Sequence, residues 1–159
     1  MSRAFVKEAD GAPPDPVLER PISAAPNLVT PRGVRLIEAR VAALEAQLAG
    51  AKDDAAVALV RRDLRYWVTR HASMKVVREP LPSAVGLGLR VTIRRAGAVS
   101  EIVIVGEDEA DPAAGLISWT APLARAIEGA LAGEEVEFQA GGKTELVGII
   151  GIFPRGDEP

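Results

Sequence analysis

The chain has no cysteine and a single histidine, His71, among its 159 residues. The first absence excludes disulfides and thiolate metal sites, and the second excludes clusters of imidazole ligands. Aromatic residues make up only 4 % of the chain, so its core is expected to be Val, Ile, Leu and Ala. No apolar run reaches the roughly 18 residues that a transmembrane helix needs. The N-terminus lacks the apolar core of a signal peptide. The expectation is a cytoplasmic protein with no membrane association and no cofactor. A formal net charge of −3 argues against a nucleic-acid coat.

Hydrophobic residues reach 48 %, enough to build a core. The length suits one domain, or a small domain with an appendage. Residues 1–29 hold Pro13, Pro14, Pro16, Pro21 and Pro26 without apolar periodicity. Such a segment buries too little surface to offset its chain entropy and is expected to be a disordered tail. Thr30-Pro31 then has the chemistry of a helix start, a hydroxyl N-cap followed by Pro at the first helical position. Ile37, Val41, Leu44 and Leu48 form a heptad seam that ends at Gly50. A second seam, Val57, Val60, Leu64, Trp67, His71 and Met74, predicts a helix from about Asp54 to Val77. Two seams joined by a short polar turn give an antiparallel helical hairpin over residues 30–78.

Pro80-Leu81-Pro82 breaks this pattern, and residues 79–86 are expected to be a linker. Beyond it the apolar period becomes two. Leu89, Val91 and Ile93 alternate with Arg90, Thr92 and Arg94, as in a half-exposed strand. Ala96-Gly97-Ala98 is a turn. Ile102–Val105 reads as a buried central strand. Val136 and Phe138 start another strand, Gly141-Gly142 signals a hairpin, and Leu146–Phe153 is the last strand. Residues 122–130 make a short helix with Leu123, Ala126 and Ile127 on one face. Residues 87–155 therefore predict a small antiparallel sheet with one helix, and the whole chain an α+β fold.

Several groups of residues invite a chemical reading. Glu107, Asp108, Glu109 and Asp111 cluster as calcium ligands do, but without the spacing of a calcium loop, and read as a solvated loop. His71 has no Ser or acid in a catalytic order around it and falls on the apolar seam, so packing is its expected role. Arg61, Arg62, Arg65 and Arg70, with Lys75, face only Asp63 in the second helix. They form a basic hairpin face, a solvated surface or a means of steering toward a nucleic acid or an acidic channel. Asp53 and Asp54 at the hairpin tip suit helix capping, or could hold a magnesium ion. Thr120, Pro122 and Arg125 at the start of the short helix make a compact contact patch.

The order of these pieces resembles the GreA/GreB family of bacterial transcription elongation factors. The residues that carry the resemblance are Ile104-Val105-Gly106-Glu107-Asp108-Glu109-Ala110-Asp111, then Ile117-Ser118, then Ala121-Pro122-Leu123-Ala124-Arg125-Ala126-Ile127-Glu128-Gly129 and Ala132-Gly133-Glu134-Glu135-Val136. Val29-Thr30-Pro31-Arg32-Gly33 resembles the family's hairpin opening. The resemblance implies a helical hairpin followed by an FKBP-like globular domain. It implies a monomer that binds RNA polymerase at the secondary channel and meets nucleic acid only within the transcription complex. Thr120, Pro122 and Arg125 would then contact the polymerase, and the protein would be a regulator and not an enzyme. Prolyl isomerase chemistry is not expected, since that activity uses a deep aromatic pocket and the globular half offers only Trp119, Phe138 and Phe153.

Cleavage-stimulating members carry a D-L-S-E-N tip, which is absent here. The hairpin is also shorter than theirs by roughly ten residues per arm, or roughly 15 Å of rod. A carboxylate that far from a magnesium ion does not ligate it, because the bond is about 2.1 Å. A short hairpin without the motif is similar to the regulator of nucleoside diphosphate kinase. Two alternatives remain open: a true cleavage factor with Asp53 and Asp54 as its acidic tip, and a general protein-interaction module.

Overall fold

The computed structural model describes residues 16–156. Most of the Pro-rich tail, residues 1–15, lies outside the described residues. The chain then runs through β1 (Leu28–Val29), helices α1 (Pro31–Gly50) and α2 (Asp54–Ser73), and β2 (Lys75–Val76). Each helix has 20 residues, and so is about 30 Å long. Thr30 caps α1, its side chain accepting from the Gly33 N–H, and Asp53 caps α2 by accepting from the Ala56 N–H. The two helices pack as an antiparallel hairpin. Its seam residues Val41, Leu44, Leu48, Val57, Val60, Leu64 and Trp67 are only half-buried, as expected of a rod two helices thick.

The base of the hairpin differs from the sequence expectation in three ways. Leu28–Val29 is not tail but a strand, pairing in parallel with Lys75–Val76. Helix α2 stops at Ser73 and not at Val77. Its last turn is closed by side chains: Asn27 Nδ2 donates to the Arg70 carbonyl at 2.7 Å, and Ser73 Oγ donates to the Thr69 carbonyl at 2.9 Å. These bonds satisfy carbonyls that a helix end leaves open and release the chain into β2. His71 is not packed in the seam. Its side chain is 47 % exposed and stands beside Glu38 at 3.9 Å, because α2 turns Arg70 toward the globular domain instead.

The globular domain is a five-stranded sheet in the order β5-β4-β3-β7-β6, with β3 at Leu89–Arg95, β4 at Ala98–Val105, β5 at Leu116–Ser118, β6 at Glu135–Ala140 and β7 at Lys143–Pro154. The β3–β4 turn places Ala96 and Gly97 at φ 48° and 79°, and the β6–β7 turn places Gly141 and Gly142 at 55° and 77°. Both are tight hairpin turns with two left-handed residues, which explains the glycines there. The sheet is not wholly antiparallel, because β5 joins β4 in parallel. Such a pair needs a crossover, and the acidic loop after β4 supplies it. The central strand is β3, with β4 one place toward the edge.

One face of the sheet forms the core. Leu89, Val91 and Ile93 of β3 meet Ile102 and Ile104 of β4 and Val147, Ile149 and Ile152 of β7. Helix α3 (Pro122–Ile127) covers them with Ala124 and Ile127, while Leu123 and Ala126 are half-buried at its flanks. Val85, expected in the linker, joins this core, and its N–H donates to the Ala130 carbonyl. The result is a two-helix hairpin followed by a curled sheet domain, an α+β fold.

Candidate functional site

The chemically richest part of the molecule is the joint between the hairpin and the sheet. It is organised by the loop after β4, residues 106–111. This loop is solvated only in part: Asp111 is exposed, as its charge had implied, but the other carboxylates turn inward. Gly106 and Glu109 are buried, and Asp108 keeps only 5 % side-chain exposure. Acidic side chains can be buried when each meets a donor. Glu109 accepts from the Thr30 N–H at 3.2 Å, the Thr30 hydroxyl at 2.5 Å and the Gly106 N–H at 3.1 Å. A negative charge thus sits at the positive start of α1 and fixes that helix to the sheet.

Helix α2 is tied to the same loop. Arg70 Nε donates to Asp108 Oδ2 at 2.5 Å and its Nη2 to Glu107 Oε2 at 3.3 Å. One turn earlier, the Tyr66 hydroxyl donates to Asp108 Oδ1 at 2.7 Å. Burial, and then the hydrogen bond to Asp108, push the Tyr66 pKa up to about 12. The Arg20 guanidinium lies over the Tyr66 ring at 3.8 Å, so the segment before β1 covers this side of α2.

The acidic loop also reaches the expected contact patch. The Thr120 hydroxyl bonds Glu107 at 3.4 Å and Ser118 Oγ at 2.8 Å. Pro122 opens α3 as its first residue and is exposed, as is Arg125 one turn on. The structure therefore brings Thr120, Pro122 and Arg125 to one corner, linked through Glu107 to Arg70 and the hairpin.

Of the four arginines read as a basic hairpin face, one is buried and two are paired. Arg70 is 2 % exposed and lies inside the joint. Arg62 is held by Asp63 at 2.7 Å, and Arg65 by Glu19. Arg61 alone of the four is exposed with no ion-pair partner among the described residues. Helical spacing located the charges but not the carboxylates that other segments bring to them. Asp53 and Asp54 stand exposed at the tip, Asp53 with one oxygen engaged as the N-cap. Among the described residues no group of His, Asp and Glu is placed to hold a metal ion. None of the described helices is long and apolar enough to cross a membrane. Sequence reasoning missed Asn27, Tyr66 and the buried role of Glu109. A signal for Tyr66 did exist: it is the chain's one tyrosine, four residues before Arg70 and so on the same helix face.

With this geometry established, residues 80–153 match the family described as "Transcription elongation factor, GreA/GreB, C-term". Over those residues the chain carries a domain of that family. The matched region contains the whole sheet core, the acidic loop and the Thr120–Arg125 corner. Among solved structures, the GreA/GreB factor of Nitrosomonas europaea is 20 % identical, with a TM-score of 0.40, covering 81 % of this chain and 98 % of its own. The GreA factor homolog 1 (Gfh1) of Thermus thermophilus is 14 % identical, with a TM-score of 0.39, covering 80 % of this chain and 99 % of its own. Gfh1 of Thermus aquaticus is 15 % identical, with a TM-score of 0.41, covering 81 % and 99 %. No curated protein matches the chain.

Proposed function

We propose that this chain is a GreA/GreB-family transcription regulator that binds RNA polymerase at its secondary channel and inserts a short hairpin without supplying a catalytic carboxylate. The observation that carries this reading is the corner formed by Thr120, Pro122 and Arg125, which lies inside the matched GreA/GreB domain and is tied through Glu107 to Arg70 at the hairpin base. A contact surface rigidly joined to the rod sets the direction in which the rod points. The tip supports binding without cleavage. Each helix is about 30 Å long, there is no D-L-S-E-N motif, and Asp53 already serves as a helix cap.

The test is a transcript-cleavage assay on backtracked elongation complexes, with polymerase binding scored in parallel. Binding without cleavage above the intrinsic rate supports the regulator. Cleavage that disappears in Asp54→Asn would instead make the chain a true cleavage factor. Pro122→Ala is expected to weaken polymerase binding, and unchanged binding would refute docking through this corner. A chain that never binds polymerase would be an interaction module of another kind.

A further inference from the structure

Beside the joint, between the first turn of α1, the segment after β2 and the residues beyond β7, lies a cavity of about 140 Å³. Its lining includes Arg32, Arg35 and Arg155, with Glu79 as the one carboxylate among the described residues. Arg155 forms a shielded wall: its side chain is 15 % exposed, with Nη1 3.7 Å from Glu109, and its N–H donates to Glu79 at 2.5 Å. Arg32 and Arg35 are three residues apart on α1, which puts them on one helix face. Both are exposed, and neither has an ion-pair partner among the described residues.

Arg40, Arg61, Arg78, Arg94 and Arg125 also lack an ion-pair partner among the described residues, but Arg32 and Arg35 are the two that line one cavity together. Arg62, Arg65, Arg70, Arg90 and Arg95 each pair with a carboxylate. The acids nearest the cavity are already engaged. Glu79 accepts from the Arg155 N–H, and Glu109 accepts from Thr30 and Gly106. Among the described residues three arginines thus meet two carboxylates at the cavity, in a protein whose formal net charge is −3. The guanidinium fork matches the oxygens of a phosphoryl group, which it can hold by two parallel hydrogen bonds. The space equals several waters at roughly 30 Å³ each, the scale of one or two phosphoryl groups.

We infer that this cavity binds a phosphoryl group, carried by a small phosphate ester or by a nucleic-acid backbone, with Arg32 and Arg35 as its ligands and Arg155 as its back wall. The inference does not depend on polymerase binding.

The experiment monitors the arginine Nε–Hε NMR signals of the full chain during titration with pyrophosphate and, separately, with a short single-stranded RNA. Saturable shifts of the Arg32, Arg35 and Arg155 signals are expected; the affinity read from the Arg155 signal should fall more than about tenfold in the Arg32→Gln, Arg35→Gln double variant and be retained in Arg94→Gln. Saturation by pyrophosphate identifies a free phosphate compound as sufficient. Saturation by RNA alone, falling steeply with salt, identifies a polynucleotide backbone. Shifts that never saturate and spread over surface arginines generally would overturn the inference. So would a correctly folded double variant that binds both probes as tightly as the parent.

Discussion

Arg70 Nε lies 2.5 Å from Asp108 Oδ2, with the two side chains only 2 % and 5 % exposed. They are 38 residues apart in sequence and belong to different halves of the molecule. The same guanidinium reaches Glu107 at 3.3 Å. Removing one partner of a buried pair leaves the other charge without compensation, at a cost of about 3–5 kcal/mol. Arg70→Met is therefore expected to lose about that much stability in urea unfolding. A loss near zero would mean that the joint relaxes and admits water. Because the chain has no cysteine, spin labels at Lys52→Cys and Ser100→Cys, both exposed positions, would report the hairpin's direction. Their distance distribution should broaden in the Arg70 variant.

Glycine substitutions at the two ends of α1 should have opposite signs. A Cβ at Gly33 would stand 2.5 Å from Glu109 Oε2 and 2.7 Å from its carboxyl carbon. The carboxylate cannot retreat without breaking its bonds to Thr30 and Gly106. Gly33→Ala should cost about 1–3 kcal/mol by overpacking, despite the helix-propensity gain. At Gly50 nothing lies within 4 Å of the added atom. Gly50→Ala should stabilise, by up to about 1 kcal/mol. Thermal unfolding of the two variants checks the pair, and two shifts of the same sign would contradict the packing described.

Much of the architecture could be read from the sequence, for a physical reason. The heptad seams, the period-two strands and the Gly141-Gly142 turn are local patterns, and local patterns dictate local structure. The joint was not legible, since its signals are non-local. Nothing next to Glu109 in sequence says that Thr30, 79 residues away, will hydrogen-bond it. Charge alone made the 106–111 loop look solvated and Arg70 look superficial. Each was buried because the other half of the molecule supplied its partner. Strand β1 was missed for the same reason: two residues make a strand only when Lys75–Val76 lies beside them. The Thr120, Pro122 and Arg125 corner was found by resemblance, and its tie to Arg70 only by structure.

Tyr66 gives the joint a spectroscopic reporter. It is the chain's one tyrosine, so alkaline difference absorbance tracks a single group. Burial, then the hydrogen bond to Asp108, raise its folded pKa to about 12, above the ordinary 10.0. The neutral phenol is thus favoured by folding. Its contribution to stability is complete below pH 10 and is lost as the pH rises through about 12. The folded titration should have its midpoint well above that of the urea-unfolded chain. Tyr66→Phe should remove the part of the alkaline stability loss that falls between the two. A folded midpoint at the ordinary value would mean that the phenol is open to water.

The tip carboxylates separate structure from chemistry. Asp53 Oδ2 accepts from the Ala56 N–H at 2.9 Å, so Asp53→Ala removes the cap of α2. Losing such a cap costs about 1 kcal/mol, within a range of about 0.5–2. Asp54 lies in the first turn, exposed, and its exchange for Asn should change stability by less than about 0.5 kcal/mol. A functional defect in Asp53→Ala alone therefore reflects a frayed hairpin, whatever the activity assayed. Asp53→Asn and Asp53→Ser keep a capping oxygen and should restore both stability and polymerase binding if the aspartate is structural. If the tip carboxylate acts on a metal in the polymerase, Asp53→Asn would keep the stability and lose the activity. Measuring urea unfolding and transcript cleavage on the same set of variants distinguishes the two roles.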